Sequence, residues 1–334
     1  CGRYADFTLP PPEQSGPKPP FTWQPNPGPV ILRGDISDVL NPSVIAFHGQ
    51  YLNLYSVYDG RTWRTALATS PDGVAWQARG TVLSPEGWEG RYIAANGSAL
   101  VHNDEILYWY EAGDPFQIAL ASSKDGTHWT KHPTPVLTPG PRGSFDERAV
   151  ADPLVIAAAG SSSLVAASGS SSVIAASGSS KAAGGGFYMF YTGMDRARRQ
   201  RLGIARSADG IVWEKLRSNP ILEVGPPNSF DENGLGEPAV WSSAGSYWML
   251  YTGRSRTEQR RIGLAKSRDG IHWDRDQSLT PIEGSESWDR EVVCDPTIEI
   301  TPQGIRVWFG GGDVRSPDQN LHGQIGLGFL TPRQ

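Results

Sequence analysis

Short apolar runs, bounded by turn residues, recur along the chain. Four of them end in Tyr followed by a small polar or acidic residue: YLNLYS (51–56), ILYWYE (106–111), FYMFYT (187–192) and YWMLYT (247–252). A second set follows them closely: TALATS, IALASS, LGIARS and IGLAKS. Short runs rich in aromatic and branched residues predict β-strands. We therefore expect an all-β chain.

A turn motif, S-x-D-G-x-x-W, follows each run of the second set, at 70–76, 123–129, 207–213 and 267–273. Its Asp can accept backbone N–H bonds within the turn, and its Gly permits a positive φ. Its Trp can cover the apolar space between sheets. Because one turn repeated four times cannot be four active sites, we predict a structural role.

The motif marks a repeat of about 50 residues with four strands, which is typical of a propeller blade. A last unit, 305–313 and 324–330, lacks its fourth strand, and the segment 21–35 can supply that strand. The prediction is a five-bladed β-propeller with four antiparallel strands per blade. The N-terminal strand would close the ring by pairing with the C-terminal blade, which removes exposed sheet edges.

The propeller is expected to span residues 21–334. Three tandem nonamers within 155–181 indicate a Gly/Ser/Ala insertion at 157–186 in blade 3, which we interpret as a surface loop. The start, CGRYADF followed by LPPPEQSGPKPP, resembles a mature bacterial lipoprotein with a lipid on Cys1 and a tether over 1–20. This resemblance implies a lipid-anchored protein of the cell envelope or periplasm, or a secreted one. An accidental Cys in a truncated chain is the alternative.

Composition limits the classes of partner. The formal charge is −5 and there is no basic tail, so nucleic acid is not an expected partner. No apolar run is long enough to span a bilayer, so membrane association would come only from a lipid on Cys1. No zinc-type spacing, P-loop or dinucleotide fingerprint is present, so we expect no metal and no required cofactor, and structural calcium is not indicated. We expect a monomer.

Candidate chemistry lies where the first strand of each unit begins. The stretches SFDERAVADPLVI (144–156), SFDENGLGEPAVW (229–241) and SWDREVVCDPTIEI (287–300) place a carboxylate before Pro each time. Across the units the equivalent residues are Asn41, Asn96, Asp152, Glu237 and Asp295. Carboxylates that converge in one funnel repel, so at least one should have a raised pKa. Such a set suits glycoside hydrolysis, and the alternative is a structural set or one that binds a central ion.

These features resemble the five-bladed β-propeller glycoside hydrolases of families 43, 32 and 68, with features of families 117 and 130. The resemblance implies that Asp152 stabilises the transition state and that Glu237 is the general acid. The base or nucleophile of those families is an Asp in blade 1, where this chain has Asn41. Three interpretations are open: Asp38 or Asp295 is the base of an inverting reaction, inorganic phosphate attacks directly, or the propeller binds carbohydrate without cleaving it.

Further residues are expected to bind the substrate. Arginine-rich loops, GMDRARRQR (193–201) and GRSRTEQRR (253–261), are predicted at the rim, where guanidinium groups would suit an anionic sugar or phosphate. Solvated surface arginines are the alternative. FGGGD (309–313) resembles a segment of family 130, and a His near the C-terminus resembles one of family 43. The predicted substrate-binding set is Asn41, Asn96, Arg91, Arg148, Arg201, Arg261, Asp313 and His322.

Overall fold

A computed structural model describes residues 3–158 and 186–333. Cys1 and nearly all of the predicted insertion at 157–186 lie outside the described residues. The described chain is almost entirely β-strand, with one short 3-10 helix at Gly87–Glu89. No helix in these two ranges is long and apolar enough to cross a membrane.

The strands follow the predicted repeat. Their bounds are β1 Tyr4–Ala5, β2 Phe21–Pro25, β3 Asp38–Phe47, β4 Gln50–Tyr58, β5 Trp63–Ser70, β6 Gln77–Leu83, β7 Ile93–His102, β8 Glu105–Ala112, β9 Gln117–Ser123, β10 Thr130–Lys131, β11 Ala149–Ala157, β12 Phe187–Met194, β13 Gln200–Ser207, β14 Trp213–Leu216, β15 Gly234–Ser243, β16 Ser246–Arg254, β17 Arg260–Ser267, β18 Trp273–Arg275, β19 Val292–Thr301, β20 Gly304–Gly312 and β21 Gln324–Pro332.

Successive strands pair in antiparallel fashion within a repeat, as in β3–β4–β5–β6 and β15–β16–β17–β18. The N-terminal strand β2 pairs with β21 in the register Trp23↔Leu330, so it completes the last group as the sequence predicts. Parallel contacts of one or two residue pairs, such as Arg260↔Val292, join the first repeat to the second, the third to the fourth and the fourth to the fifth. Backbone pairing gives one 13-stranded and one 8-stranded sheet, and it does not join them into a single closed sheet.

The repeated turn has the structural role that the sequence predicts. In the third copy, Asp209 Oδ1 accepts the backbone N–H groups of Ile211 and Val212 at 2.9 and 2.8 Å. Gly210 has a φ of +76°, a conformation that favours glycine. The buried Trp213 ring then packs edge-on against Trp109 of the preceding repeat, with ring centroids 6.2 Å apart. The motif therefore fixes the turn and joins neighbouring repeats.

The predicted tether is in contact with the β-domain over the part that the structure describes. Strand β1 pairs in parallel with β14. Farther along, Leu9 is buried in the apolar core, and Tyr247 Oη donates to Pro10 O at 2.6 Å. Residues 3–20 therefore lie against the third and fourth repeats, and lipid attachment at Cys1 stays a prediction.

Candidate active site

A β-bulge in every repeat builds the inner polar positions. The register between first and second strand shifts at the same point each time, for example between Ala151 and Leu154 and between Gly236 and Ala239. The residue that the shift frees has a positive φ in all repeats: Asn41 51°, Asn96 51°, Asp152 46°, Glu237 53° and Asp295 53°. Bulges re-aim side chains beside active sites, and left-handed backbone at a Glu is strained. The repeated bulge therefore turns one polar side chain per repeat out of the strand ladder.

These five side chains share one pocket, as the sequence predicts. The pocket is also lined by aromatic rings, by two arginines and by two carboxyl groups that the sequence did not single out. The lining residues that matter for chemistry are Asn41, Asn96, Glu111, Asp152, Glu237, Arg254, Arg260, Asp295 and Asp318, and the rings are Trp63, Tyr92 and Phe116.

Hydroxyl groups on the second strands accept hydrogen bonds from the backbone N–H groups of two of these inner residues. Ser56 Oγ accepts the backbone N–H of Asn96 at 2.9 Å, and Thr252 Oγ1 accepts that of Asp295 at 3.1 Å. The equivalent position of the last repeat is Gly310, which has no side chain to offer. Asp295 Oδ2 takes over and accepts the Asn41 N–H at 3.0 Å. A Cβ on Gly310 would lie only 2.7 Å from that oxygen, so the glycine makes room for it.

Asp295 and Glu237 form a close carboxyl pair. The backbone N–H of Asp295 donates to Glu237 Oε2 at 3.1 Å, and the two side chains bring carboxyl oxygens within 4.8 Å of each other. Burial, and then the negative charge of Glu237, raise the pKa of Asp295 well above its usual range. The partly buried carboxyl of Glu237 therefore favours the protonated form of the buried Asp295 beside it.

Asp152 titrates near neutrality. Burial and then the charge of Glu237 raise its pKa to about 7. The nearby Thr192 hydroxyl and the positive charges of Arg260 and Arg254 act in the opposite direction and keep the pKa from rising further. The expectation of at least one raised pKa is therefore confirmed, and Asp152 can change its charge in the physiological range.

Glu111 was missed at the sequence level. It lies on β8, is only 3% exposed, and accepts a hydrogen bond from Asn96 Nδ2 at 3.4 Å. Burial, and then the charge of Asp152, raise its pKa well above the usual range. The signal that could have revealed it was the ending YE of the second run, where the other three runs end in YS or YT.

The predicted arginine-rich loop 253–261 does reach the pocket, but through other arginines than the Arg261 of the predicted binding set. Arg254 and Arg260 pair across β16 and β17 and line the pocket, and Arg260 Nη2 donates to Pro317 O at 2.6 Å. The neighbouring Arg261 lies on the other face of β17 and forms an ion pair with Glu283. Side chains alternate between the two faces of a strand, so a shift of one position along β17 decides whether an arginine faces the pocket.

Arg201 is displaced from the pocket in the same way. Its partners are Asp195 and Glu223, at 2.9 and 3.1 Å. The residue before it, Gln200, lines the pocket instead. Arg148 borders an adjoining pocket that shares Arg254 and Asp318 with the first, whereas Arg91 lines neither.

Asp38 does not reach the pocket, which corrects its assignment as a base. The side chain is fully buried, and its two oxygens accept the backbone N–H groups of Asn320, Leu321 and Gly323 at 2.5 to 2.8 Å. It therefore anchors the loop that ends before β21. Two other predicted binding residues, Asp313 and His322, pair with each other at 2.8 Å outside the pocket.

One group in the described residues has metal-type ligand atoms close together: Glu237, Cys294 and Asp295, within 4.8 Å. Burial raises the pKa of the Cys294 thiol well above its usual range, so it is a neutral thiol. Thiolates, not thiols, ligate metals. This donor set therefore gives no argument for a metal ion.

The comparison with known families fits this geometry. The family model described as "Glycosyl hydrolases family 32 N-terminal domain" matches residues 43–174 and 159–293. A pair of nearby carboxyl groups is also what glycoside hydrolysis requires. The chain belongs to the glycosyl hydrolases family 32 N-terminal domain family.

The individual relatives and solved structures share only low sequence identity with this chain. Two uncharacterized proteins of Mycobacterium tuberculosis are 25% identical over 266 residues, which cover 71% of this chain and 75% of each relative. Among solved structures, a β-1,2-mannobiose phosphorylase from Listeria innocua superposes with a TM-score of 0.69 at 12% identity, over 92% of this chain and 96% of that one. A family 117 glycoside hydrolase from Zobellia galactanivorans gives 0.62 at 14% identity, over 96% and 92%. These likenesses show the β-propeller fold.

Proposed function

We propose that this protein cleaves glycosidic bonds of an oligo- or polysaccharide with inversion, using Glu237 as general acid and Asp152 as the carboxylate that stabilises the transition state. The observation that carries the proposal is the convergence of Asp152, Glu237 and Asp295 in one pocket with two of the three pKa values raised. A site that holds a proton beside an ionised carboxylate is what the reaction requires.

We also infer that the five repeats are five blades closed into a ring. Trp109 Nε1 donates to Gly210 O, at 2.8 Å, between adjacent second and third repeats. Trp308 Nε1 makes the equivalent bond, also 2.8 Å, to Gly73 O, and thereby links the last repeat to the first. The pairing of β2 with β21 supports the same closure. A crystal structure in which the first and last repeats stand apart would contradict it.

In the proposed reaction the proton of the Glu237–Asp295 pair passes to the leaving oxygen as the glycosidic C–O bond breaks. Water attacks the anomeric carbon from the opposite face and gives up a proton to a base. Inverting enzymes keep acid and base about 6.5–9.5 Å apart. Asp295 lies too close to Glu237 for that separation, so we assign it to the proton-carrying pair rather than to the base.

The base role then falls to Asp318, the exposed carboxylate at the pocket wall. Asn41 and Asn96 offer amide groups to sugar hydroxyls. The aromatic rings of Trp63, Tyr92 and Phe116 suit the apolar faces of a sugar. Arg254, with Arg148 in the adjoining pocket, favours a substrate that carries an anionic group.

The test is Glu237→Gln, assayed on an activated aryl glycoside and by titration with oligosaccharides. We expect turnover to be lost and binding to persist, because the amide keeps the size of the side chain and cannot donate the proton. Glu223→Gln, an exposed position outside the pocket, is the control and should leave turnover unchanged. Turnover of the Glu237→Gln protein at the parent rate would refute the acid assignment.

A phosphorylase is the second candidate. Two arginines line the pocket while the blade-1 acid is replaced by Asn41, so phosphate could take the place of water and base. The phosphorylase from Listeria innocua shares the fold. Product analysis with and without phosphate separates the candidates: a glycosyl phosphate indicates phosphorolysis, and a free sugar of inverted configuration indicates hydrolysis. Binding with neither product would favour a carbohydrate-binding propeller.

A further inference from the structure

We propose that the pocket adjoining the active site binds the carboxylate of an acidic sugar residue through Arg148 and Arg198. This inference rests on the function proposed above and deepens it, because it gives the substrate a chemical class: a glycan that contains uronic acid. The two arginines act on binding and take no part in the proton transfers of the reaction.

The adjoining pocket is continuous with the pocket that holds the carboxyl groups. Its volume is about 330 Å³, and it shares Phe116, Arg254 and Asp318 with the first pocket. The residues that line only the adjoining pocket are Asp114, Pro115, Arg148 and Arg198. A sugar chain whose cleaved bond lies beside Glu237 can therefore extend into this second pocket, where it meets two further guanidinium groups.

The loops between the second and third strands of the third and fourth repeats contain the same turn. Arg198 and Glu258 occupy its equivalent positions, with φ of 62° and 61°. Each donates its N–H to the carbonyl three residues earlier, at 3.0 and 3.1 Å. Glu258 pairs with Arg254 at 3.4 Å, whereas the equivalent of Arg254 in the third repeat is Met194. The turn therefore forms with either charge, and it does not require an arginine at position 198.

The residue just before the first strand shows the same contrast between repeats. In the last three repeats its backbone N–H donates to the end of the second strand at 2.9 to 3.1 Å, and the residues are Arg148, Asn233 and Glu291. The side chain of Asn233 donates to Glu258 at 3.4 Å, and that of Glu291 pairs with Arg315 at 2.6 Å. Each of these two side chains thus meets a complementary group on the loop after its second strand. In the third repeat both positions hold arginines.

The other arginines of the third-repeat loop face away from this pocket. Arg196, Arg199 and Arg201 line a different cavity, and each forms an ion pair with a carboxylate there. Across the described residues, Arg148 and Arg198 form no ion pair, although the protein has a net charge of −5. Two guanidinium groups that line one pocket repel each other, and an anion bound by both offsets that repulsion. The unpaired arginines therefore indicate an anionic ligand.

A singly charged carboxylate suits this pocket better than a phosphate does. Asp114 and Asp318 border the same pocket, and both are exposed. Their charges repel a doubly charged phosphate more strongly than a carboxylate. A planar carboxylate also accepts two parallel hydrogen bonds from one guanidinium group. The two aspartates remain available as acceptors for sugar hydroxyls, so the ligand is a uronic acid residue within a glycan.

The experiment measures how strongly soluble glycans retard the protein in native gels. The probes are polygalacturonate, alginate and the methyl esters of both, which keep the sugars and lose the charge. We expect a uronate polymer to retard the parent and its ester not to. Arg148→Gln and Arg198→Gln should each weaken binding about tenfold or more, because hydrogen bonds to a carboxylate are lost. Arg196→Gln makes the same charge change on the same loop but faces the other cavity, so it is the control and should keep the parent affinity.

Three results would overturn the proposal. The first is an equal loss of affinity in Arg196→Gln and Arg198→Gln, which would indicate a general effect of charge. The second is binding of the methyl esters as strongly as the free acids. The third is a parent protein that neither uronate polymer retards, whether or not the sulfated glycan carrageenan does. Gel retardation needs no turnover, so these results concern the substrate class, whereas Glu237→Gln tests the proposed acid.

Discussion

The substitution Asp152→Asn should make the protein more stable at alkaline pH while it removes activity. Asp152 is a carboxyl whose pKa is raised from 3.8 to about 7 by burial and by Glu237. The folded state therefore holds this proton more tightly than the unfolded state does. As the pH rises from about 4 to 7, ionisation favours unfolding and stability falls. The amide of Asn does not ionise, so the variant escapes this loss.

The magnitude follows from the two pKa values. Each unit of pKa difference corresponds to ~1.4 kcal/mol. With 3.8 for the unfolded state and about 7 for the folded state, the loss is roughly 2 kcal/mol at pH 5 and roughly 4 kcal/mol at pH 8. The advantage of the variant over the parent should therefore grow by roughly 2 kcal/mol between these pH values. The change between two pH values cancels any packing effect of the substitution.

The assay is urea unfolding of parent and variant at pH 5 and pH 8, with the free energy of unfolding extrapolated to water. Asp274→Asn, at an exposed position, serves as control and should follow the parent at both pH values. If the free energies of unfolding of Asp152→Asn and the parent differ by the same amount at pH 5 and pH 8, the raised pKa is refuted. If that difference is smaller at pH 8 than at pH 5, the folded state stabilises the Asp152 carboxylate.

Two further predictions concern the neighbours of Asp152. Arg260→Met should raise the pKa of Asp152 above about 7, because the guanidinium charge lowers it, and the acid limb of the pH–rate profile should move to higher pH. If the acid limb of the pH–rate profile does not move, Arg260 does not lower the pKa of Asp152. Asp38→Ala should lower the free energy of unfolding by roughly 3 kcal/mol, since three backbone N–H groups lose their acceptor. If the folded variant has no turnover, Asp38 has a role beyond anchoring its loop.

The strand repeat could be predicted from sequence because local rules determine it. The Asp and Gly of the S-x-D-G-x-x-W turn act within a few residues, and an apolar run in the sequence predicts the second strand of each repeat. The pairing of β2 with β21 followed from counting strands in the last repeat. The inner residues could be placed for the same reason, because the bulge recurs at the same point of every repeat.

The rest of the pocket depends on choices that periodicity alone does not fix. Arg260 and Arg261 are adjacent, and only the register of β17 against β16 decides which of them faces the pocket. Asp38 stands three residues before Asn41, near enough for sequence reasoning to favour it as a base. Its role is set by a loop more than 280 positions away, whose backbone donors it satisfies. Long-range contacts of this kind leave no local pattern.

The pocket is asymmetric although the fold is built from similar repeats, because two repeats lack the Ser or Thr that the others have at one position of the second strand. The bulge gives every repeat an inward polar side chain, and Ser or Thr behind it satisfies the backbone of the neighbour. At Gly310 that support is missing, so Asp295 bonds the backbone of Asn41 and is thereby held beside Glu237. At Glu111 the support is a carboxyl, which places a second buried acid next to Asp152. Both departures place a buried carboxyl beside another carboxyl of the ring, and the asymmetry of the site therefore comes from the two positions where the repeated support is not a hydroxyl.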